Sequence, residues 1–178
     1  MKIYTRTGDA GQTGLLDGRR VSKASPLVDT CGEVDELNAC LGLVLSAGVD
    51  ADLAKMMVQI QGQLFALGAS LADPTSHAAG HAKASVGESA VGQLEGWIDH
   101  LEGELEPLRR FILPGGHPAA ATVHLARAVC RRAERRMVAL GVESVGTVPF
   151  AYLNRLSDLL FVVARAVNAR AGISERAW

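Results

Sequence analysis

Five stretches of this sequence carry apolar residues at helical spacing, and strand signals are few. The first places Val34, Leu37, Leu41 and Val44 on one face; the second, Leu53, Ile60, Leu64, Leu67 and Leu71. The third places Val91, Leu94, Ile98, Leu101 and Leu105; the fourth, Val123, Ala126, Cys130, Ala133, Met137 and Leu140. The fifth places Leu153, Leu156, Leu160, Val163 and Val167. A helix with one apolar stripe must bury it against its neighbours. Five such helices therefore predict an all-α fold, an antiparallel five-helix bundle.

The punctuation agrees. "AGVD" at 47–50, "DPTSHAAGHAKASVGE" at 73–88, "LPGGHP" at 113–118 and "LGVESVGTVP" at 140–149 separate the five stretches. Before them, Gly8, Gly11, Gly14, Gly18 and Pro26 break any regular pattern, so residues 1–28 read as an irregular arm. The expected organisation is one domain, 1–178, with the arm at 1–28 and the bundle at 29–172. No internal repeat is present.

Against that background one segment stands out. "RAVCRRAERR", 127–136, holds five arginines and one glutamate, while the whole chain has a formal net charge of −1. A near-neutral chain is not a general nucleic-acid or membrane-surface binder, so the cluster needs a local counter-charge. At about 100° per residue, Arg127, Arg131, Glu134 and Arg135 flank the apolar stripe, whereas Arg132 and Arg136 point away from the core. All five cations are Arg, whose planar fork matches phosphate or carboxylate oxygens better than an ammonium does. Arg127 and Arg131 border the stripe, where unpaired charge is costly.

The neighbouring helices add polar groups. "YLNRLSDLLFVVAR" sets Asn154, Asp158 and Arg165 on one flank, and the Asn154 amide oxygen suits a ligand or Mg²⁺. Asp158 is expected to pair with an arginine. On the first helix Asp35 sits at the edge of the core face with Asn38 near it, while Glu33 and Glu36 read as solvated. In the arm, "TRTGDAGQTGLLDGRRVSK" offers glycine backbone amides, threonine hydroxyls and a cationic end, which is the composition of an anion cradle. It is neither a Walker A loop nor a dinucleotide-binding fingerprint.

Other chemistries are set aside. Glu-x-x-His pairs of a di-iron bundle are absent, and His77 and His81 lack the further ligands a metal site needs. Cys130 lies in the apolar stripe and reads as core rather than nucleophile. Three cysteines without a CxxC pair suit a reducing compartment. The start "MKIYTRTGD" lacks an apolar signal segment, and no apolar run of about 18 residues is long enough to span a membrane. A cytoplasmic protein is expected.

Three stretches together, "YTRTGDAGQTGL", "FILPGG" followed by "RAVCRRAERR", and "YLNRLSDLLFVVAR", resemble the PduO-type ATP:cob(I)alamin adenosyltransferases from residue 3 to about 170. The resemblance implies transfer of the 5′-deoxyadenosyl group of ATP to the Co(I) of a reduced corrinoid, giving adenosylcobalamin and triphosphate. It implies a homotrimer with ATP bound between subunits, Mg²⁺ on the phosphates, and a separate reductase. By the same resemblance Thr5, Arg6, Thr7, Gly8 and Thr13 wrap the nucleotide and Lys23 reaches its phosphates. Arg131, Arg132, Glu134 and Arg135 fall on the nucleotide-binding stretch, with Asn154 near phosphates and Mg²⁺. Arg127 and Asp35 match a pair that joins subunits beside the active site. Phe111 matches the aromatic under the corrin ring, so Arg131, Phe111, Asp35 and Arg127 are the expected catalytic group.

Three other classes predict different observations. An ATP hydrolase or kinase would release diphosphate rather than triphosphate. A nucleic-acid binder would show steep salt dependence and a basic domain. A purely structural bundle would lose assembly when Arg131 is changed, without a separate effect on ATP.

Overall fold

The computed structural model describes residues 2–73 and 86–178. His77, His81 and most of the 73–88 connection lie outside them. A short hairpin, β1 (Gln12–Gly14) and β2 (Arg20–Ser22), precedes α1 (Pro26–Ser46), α2 (Ala51–Ala72), α3 (Glu88–Glu102), α4 (Pro118–Leu140), α5 (Val142–Val145) and α6 (Thr147–Arg170). The five long helices are the five periodic stretches. α1 packs against α2 and α4, α4 against α6, and α6 against α3. The Gln59 and Gln63 amides of α2 both donate to Gln93 on α3, at 2.9 and 3.0 Å.

The core follows the predicted stripes. Leu37, Leu41, Leu53, Ile60, Leu94, Met137, Leu153 and Leu160 are wholly buried. α4 meets its neighbours through small residues, Ala119, Ala120, Ala126 and Ala133, which let the helix backbones come close. The C-terminal half of α6 is buried on every side, from Val162 through Asn168. Tyr152 is buried too, and its hydroxyl is hydrogen-bonded to Gln63 Oε1 at 2.9 Å.

Several local readings change. Pro26 does not break the pattern; it starts α1. Ser25 is the N-cap, its hydroxyl accepting from Val28 N at 3.4 Å, and Pro26 takes the first helical position, where no amide donor is needed. The arm is a hairpin, with Thr13 paired to Val21 and Leu16 N donating to the Ala72 carbonyl at the end of α2. The break at 140–149 contains a single helical turn, α5, bracketed by Gly141 (φ 85°) and Gly146 (φ 82°), both in the left-handed region that glycine favours. Leu105 lies beyond the end of α3 and packs on the core from the following segment.

The C-terminal segment forms a feature that periodicity does not reveal. It pairs with 111–113: Leu113 N donates to Arg176 O at 2.8 Å and Trp178 N to Phe111 O at 2.9 Å. It also covers Arg165, which is 8% exposed and donates to the Glu175 carboxylate at 3.1 Å and to the Glu106 carbonyl at 2.8 Å. Arg165 is therefore not on an open flank with Asn154 and Asp158; the tail has closed over that end of the stripe.

The Ser25 cap should be measurable. Ser25→Ala removes the side-chain acceptor that caps the start of α1 and should cost about 1 kcal/mol. The urea midpoint should fall while the slope of the transition stays the same.

Candidate active site: an arginine-lined cleft

The two sides of α4 treat their arginines differently. Arg132 donates through Nε to Glu33 at 2.5 Å and through a second nitrogen to Glu36, and Arg136 pairs with Asp29 at 3.0 Å. Those carboxylates all belong to α1. Glu33 and Glu36 are thus not merely solvated, because the outward face of α4 at these positions is the face beside α1. Helix periodicity sorts residues around one axis but does not say which helix stands opposite.

On the other side, α4, α6 and α3 enclose a cleft of about 650 Å³. Arg127 and Arg131 line it from α4, Arg155, Asp158 and Phe161 from α6, and Glu95 and Asp99 from α3. Arg155 is committed, reaching Glu95 at 2.9 Å and Asp158 at 3.2 Å. Asp158 does pair with an arginine, but with its own helix's Arg155 rather than with α4. Arg131 is exposed and makes no ion pair or hydrogen bond among the described residues. Arg127 is half-buried, and its Nε is enclosed without a hydrogen-bond partner.

Of the arginines on the described helices, Arg132, Arg136, Arg155, Arg165 and Arg170 are all held by carboxylates. The three left open, Arg127, Arg131 and Arg135, all lie on α4. A buried guanidinium donor without an acceptor is expensive, and an incoming anion would satisfy it.

Beside this group, Asn154 donates through Nδ2 to Glu134 Oε1 at 3.0 Å, and its amide oxygen has no partner among the described residues. Cys130, between the arginines and the core, donates its thiol to the Leu153 carbonyl at 3.3 Å. Burial pushes that thiol far up, Glu134 adds to the shift and Arg131 opposes it, so the group stays protonated as core. Among the described residues no cluster of three or more His, Cys, Asp or Glu side chains could hold a metal ion.

The arm gathers its own residues. The Thr5 and Thr7 hydroxyls lie 2.9 Å apart, and Arg6 between them has a left-handed backbone (φ 61°). Arg20 donates to the Thr7 carbonyl at 2.6 Å. A side chain at Gly8 would start 3.2 Å from Lys23 Nζ, so the glycine keeps the ammonium close to the arm backbone. Thr13 is half-buried in β1. None of these residues lines the cleft, nor do Asp35 on α1 or Phe111. Asp35 is exposed without a partner among the described residues, and Phe111 is 79% exposed, which rejects a core role for its ring.

Two residues of the cleft, and one in the core behind it, have weaker sequence signals. Arg155 and Phe161 lie inside "YLNRLSDLLFVVAR" but face the cleft only because α3 packs there. His124 sits in the α4 stripe, 4% exposed, edge-on to Phe161 at 6.1 Å, with Nδ1 enclosed and unpartnered.

The family model for cobalamin adenosyltransferase matches residues 3–167. A cobalamin adenosyltransferase from Cupriavidus metallidurans is 46% identical over 179 residues, covering 99% of this chain and 94% of the relative. A corrinoid adenosyltransferase from Mycobacterium tuberculosis is 43% identical, covering 94% and 89%. Among solved structures, a phenylalanine-to-alanine variant of the PduO-type ATP:corrinoid adenosyltransferase from Lactobacillus reuteri, complexed with cobalamin and ATP, superposes with a TM-score of 0.91. It is 34% identical, and the match covers 99% of both chains.

The core behind the cleft carries a pH signature. Burial, reinforced by Arg127 and opposed by Glu175, holds the His124 pKa below its ordinary 6.5. As pH falls through 6.5 the unfolded chain takes up this proton and the folded chain does not, so stability drops on acidification. His124→Asn should flatten the decline of melting temperature just below pH 6.5.

Proposed function

The chain belongs to the cobalamin adenosyltransferase family, and we propose that the open arginines of α4 are its clamp on the leaving triphosphate. It transfers the 5′-deoxyadenosyl group of ATP to the Co(I) of a reduced corrinoid. The Co(I) electron pair forms the bond to C5′, the C5′–O bond breaks, and the oxygen leaves with its electrons on triphosphate. The cobalt ends as Co(III). The nucleophile belongs to the substrate, so the protein's tasks are placement and charge. Aligning cobalt with C5′ removes much of the entropic barrier, and preorganised cations stabilise the growing negative charge.

The observation that carries the clamp is the sorting of the helical arginines: Arg131 and Arg135 have no carboxylate among the described residues, whereas Arg132 and Arg136 on the same helix are held by α1. Arg131 and Arg135 take phosphate oxygens, Glu134 takes the ribose and adenine side, and Asn154, bonded to Glu134, lies near the phosphates. Arg132, spent on Glu33 and Glu36, supports the stretch by tying α4 to α1. Thr5, Arg6, Thr7, Gly8, Thr13 and Lys23 wrap the nucleotide from the arm. Mg²⁺ fits this arrangement as an ion held mainly by the phosphates. The free Asn154 oxygen offers one protein ligand, and Mg²⁺ commonly keeps few. Bound there, it would neutralise phosphate charge.

The site is completed between subunits of a homotrimer. Arm and cleft are separate groups in one chain, Asp35 is exposed, and Arg127 lacks a carboxylate; a neighbour's Asp35 would supply it. Phe111 presents its ring to the lower face of the corrin and excludes an axial ligand, which eases one-electron reduction of Co(II). A reductase supplies that electron. Free Cys31, Cys40 and Cys130 fit a cytoplasmic setting, and no described helix is long and apolar enough to cross a membrane.

Anaerobic incubation with ATP, Mg²⁺ and Co(I) cobalamin should yield an adenosyl–cobalt spectrum and triphosphate. ATP binding without a cobalt–carbon product, or release of diphosphate and phosphate, would overturn the reading. Arg131→Ala should lower kcat/KM for ATP about 10²- to 10³-fold while the trimer survives gel filtration. Loss of assembly alone would make it a structural residue. Phe111→Ala should slow turnover from Co(II) far more than it weakens ATP; equal losses would sink its role.

A further inference from the structure

Asn168 is 3% exposed in the buried C-terminal half of α6, where an unsatisfied amide would be costly. Both ends of that amide go to one place. Its Oδ1 accepts from His117 N at 2.8 Å and its Nδ2 donates to Gly115 O at 3.0 Å. Gly116, at φ 97°, lies between these contacts, and a Cβ there would come within 2.2 Å of Asn168 Oδ1. Asn168 and the turn therefore interlock, and only glycine fits at the point of contact.

That turn joins two parts of the proposed site. On its C-terminal side His117 caps α4, its Nδ1 accepting from Ala119 N at 3.2 Å, and α4 carries Arg127 and Arg131. On its N-terminal side the chain runs back through Leu113 to Phe111. The Phe111 backbone is held as well, by Trp178 N at 2.9 Å, yet its ring stands in solvent. An exposed aromatic on an immobilised backbone is preorganised for docking a flat apolar ligand.

We infer that Asn168 is a positioning residue for the corrinoid half-site: it fixes the 115–117 turn and thereby sets the Phe111 ring relative to the α4 arginines. This rests on the corrinoid role proposed for Phe111. Asn168 touches neither substrate. Its effect passes through the turn, so it bears on reduction and placement of the corrinoid and leaves the nucleotide side intact.

The test compares Asn168→Ala, Phe111→Ala and the double variant in the full-length trimer. Each is assayed with Co(II) cobalamin plus reduced flavin, and with Co(I) cobalamin prepared beforehand. Asn168→Ala should slow turnover from Co(II) about tenfold or more, in line with the cost of small misplacements. KM for ATP should stay within about twofold. The double variant should be no slower than Phe111→Ala alone, because the two changes act on one feature. Gly116→Ala displaces the turn from the other side without altering α6 and should give the same split; it serves if Asn168→Ala does not fold. A normal Co(II) rate in Asn168→Ala, equal losses on both sides, or multiplying effects in the double variant would overturn the inference while leaving Phe111's role standing. A normal Co(II) rate in Phe111→Ala would overturn both.

Discussion

α4 is packed on two sides at once, by α1 and by α6, through a stripe of Ala126, Cys130, Ala133 and Met137 that admits no charge. Every arginine of the cluster must therefore leave through one seam or the other. Those leaving beside α1 meet Asp29, Glu33 and Glu36 and are neutralised. Arg127 and Arg131, leaving toward α3 and α6, meet a cleft whose carboxylates Glu95 and Asp158 are held by Arg155, and neither arginine pairs with the Asp99 or Glu102 that also line it. One short run of sequence thus does two jobs, welding α4 to its neighbour and holding a set of cations in reserve.

The helices and their buried faces were legible because a 3.6-residue period is a local property, readable from apolar spacing alone. The division of the arginines was half legible for the same reason. Which ones share a side follows from the angle around α4, but which side meets carboxylates depends on where α1 lands. Glu33 and Glu36 look like first-turn surface acids in sequence and become partners only across a helix pair. Pro26 was ambiguous because proline both ends helices and starts them; Ser25 immediately before it was the signal that decides.

The C-terminal segment was the least legible part. Its pairing with 111–113 depends on a contact distant in sequence, and strands this short leave no period to find. Yet it explains why Arg165, written as part of a polar stripe, is buried. It also explains how Phe111 keeps a fixed backbone with an exposed ring. The family match extends over residues 3–167 and so ends before the C-terminal segment.

The single turn of α5, closed at each end by a left-handed glycine, keeps α4 and α6 adjacent along the chain as well as in space. α1 and α2 form a second such neighbouring pair. Contacts between sequence neighbours close with little loss of chain entropy, so these two helical hairpins are the units that chain topology favours early in folding. The seams of α1 on α4 and of α3 on α6 join segments distant in sequence, whose closure costs more chain entropy. Chain topology thus sets the arginine run in a local helical hairpin, while its carboxylate partners on α1 and the third wall of the cleft, α3, come from segments distant in sequence.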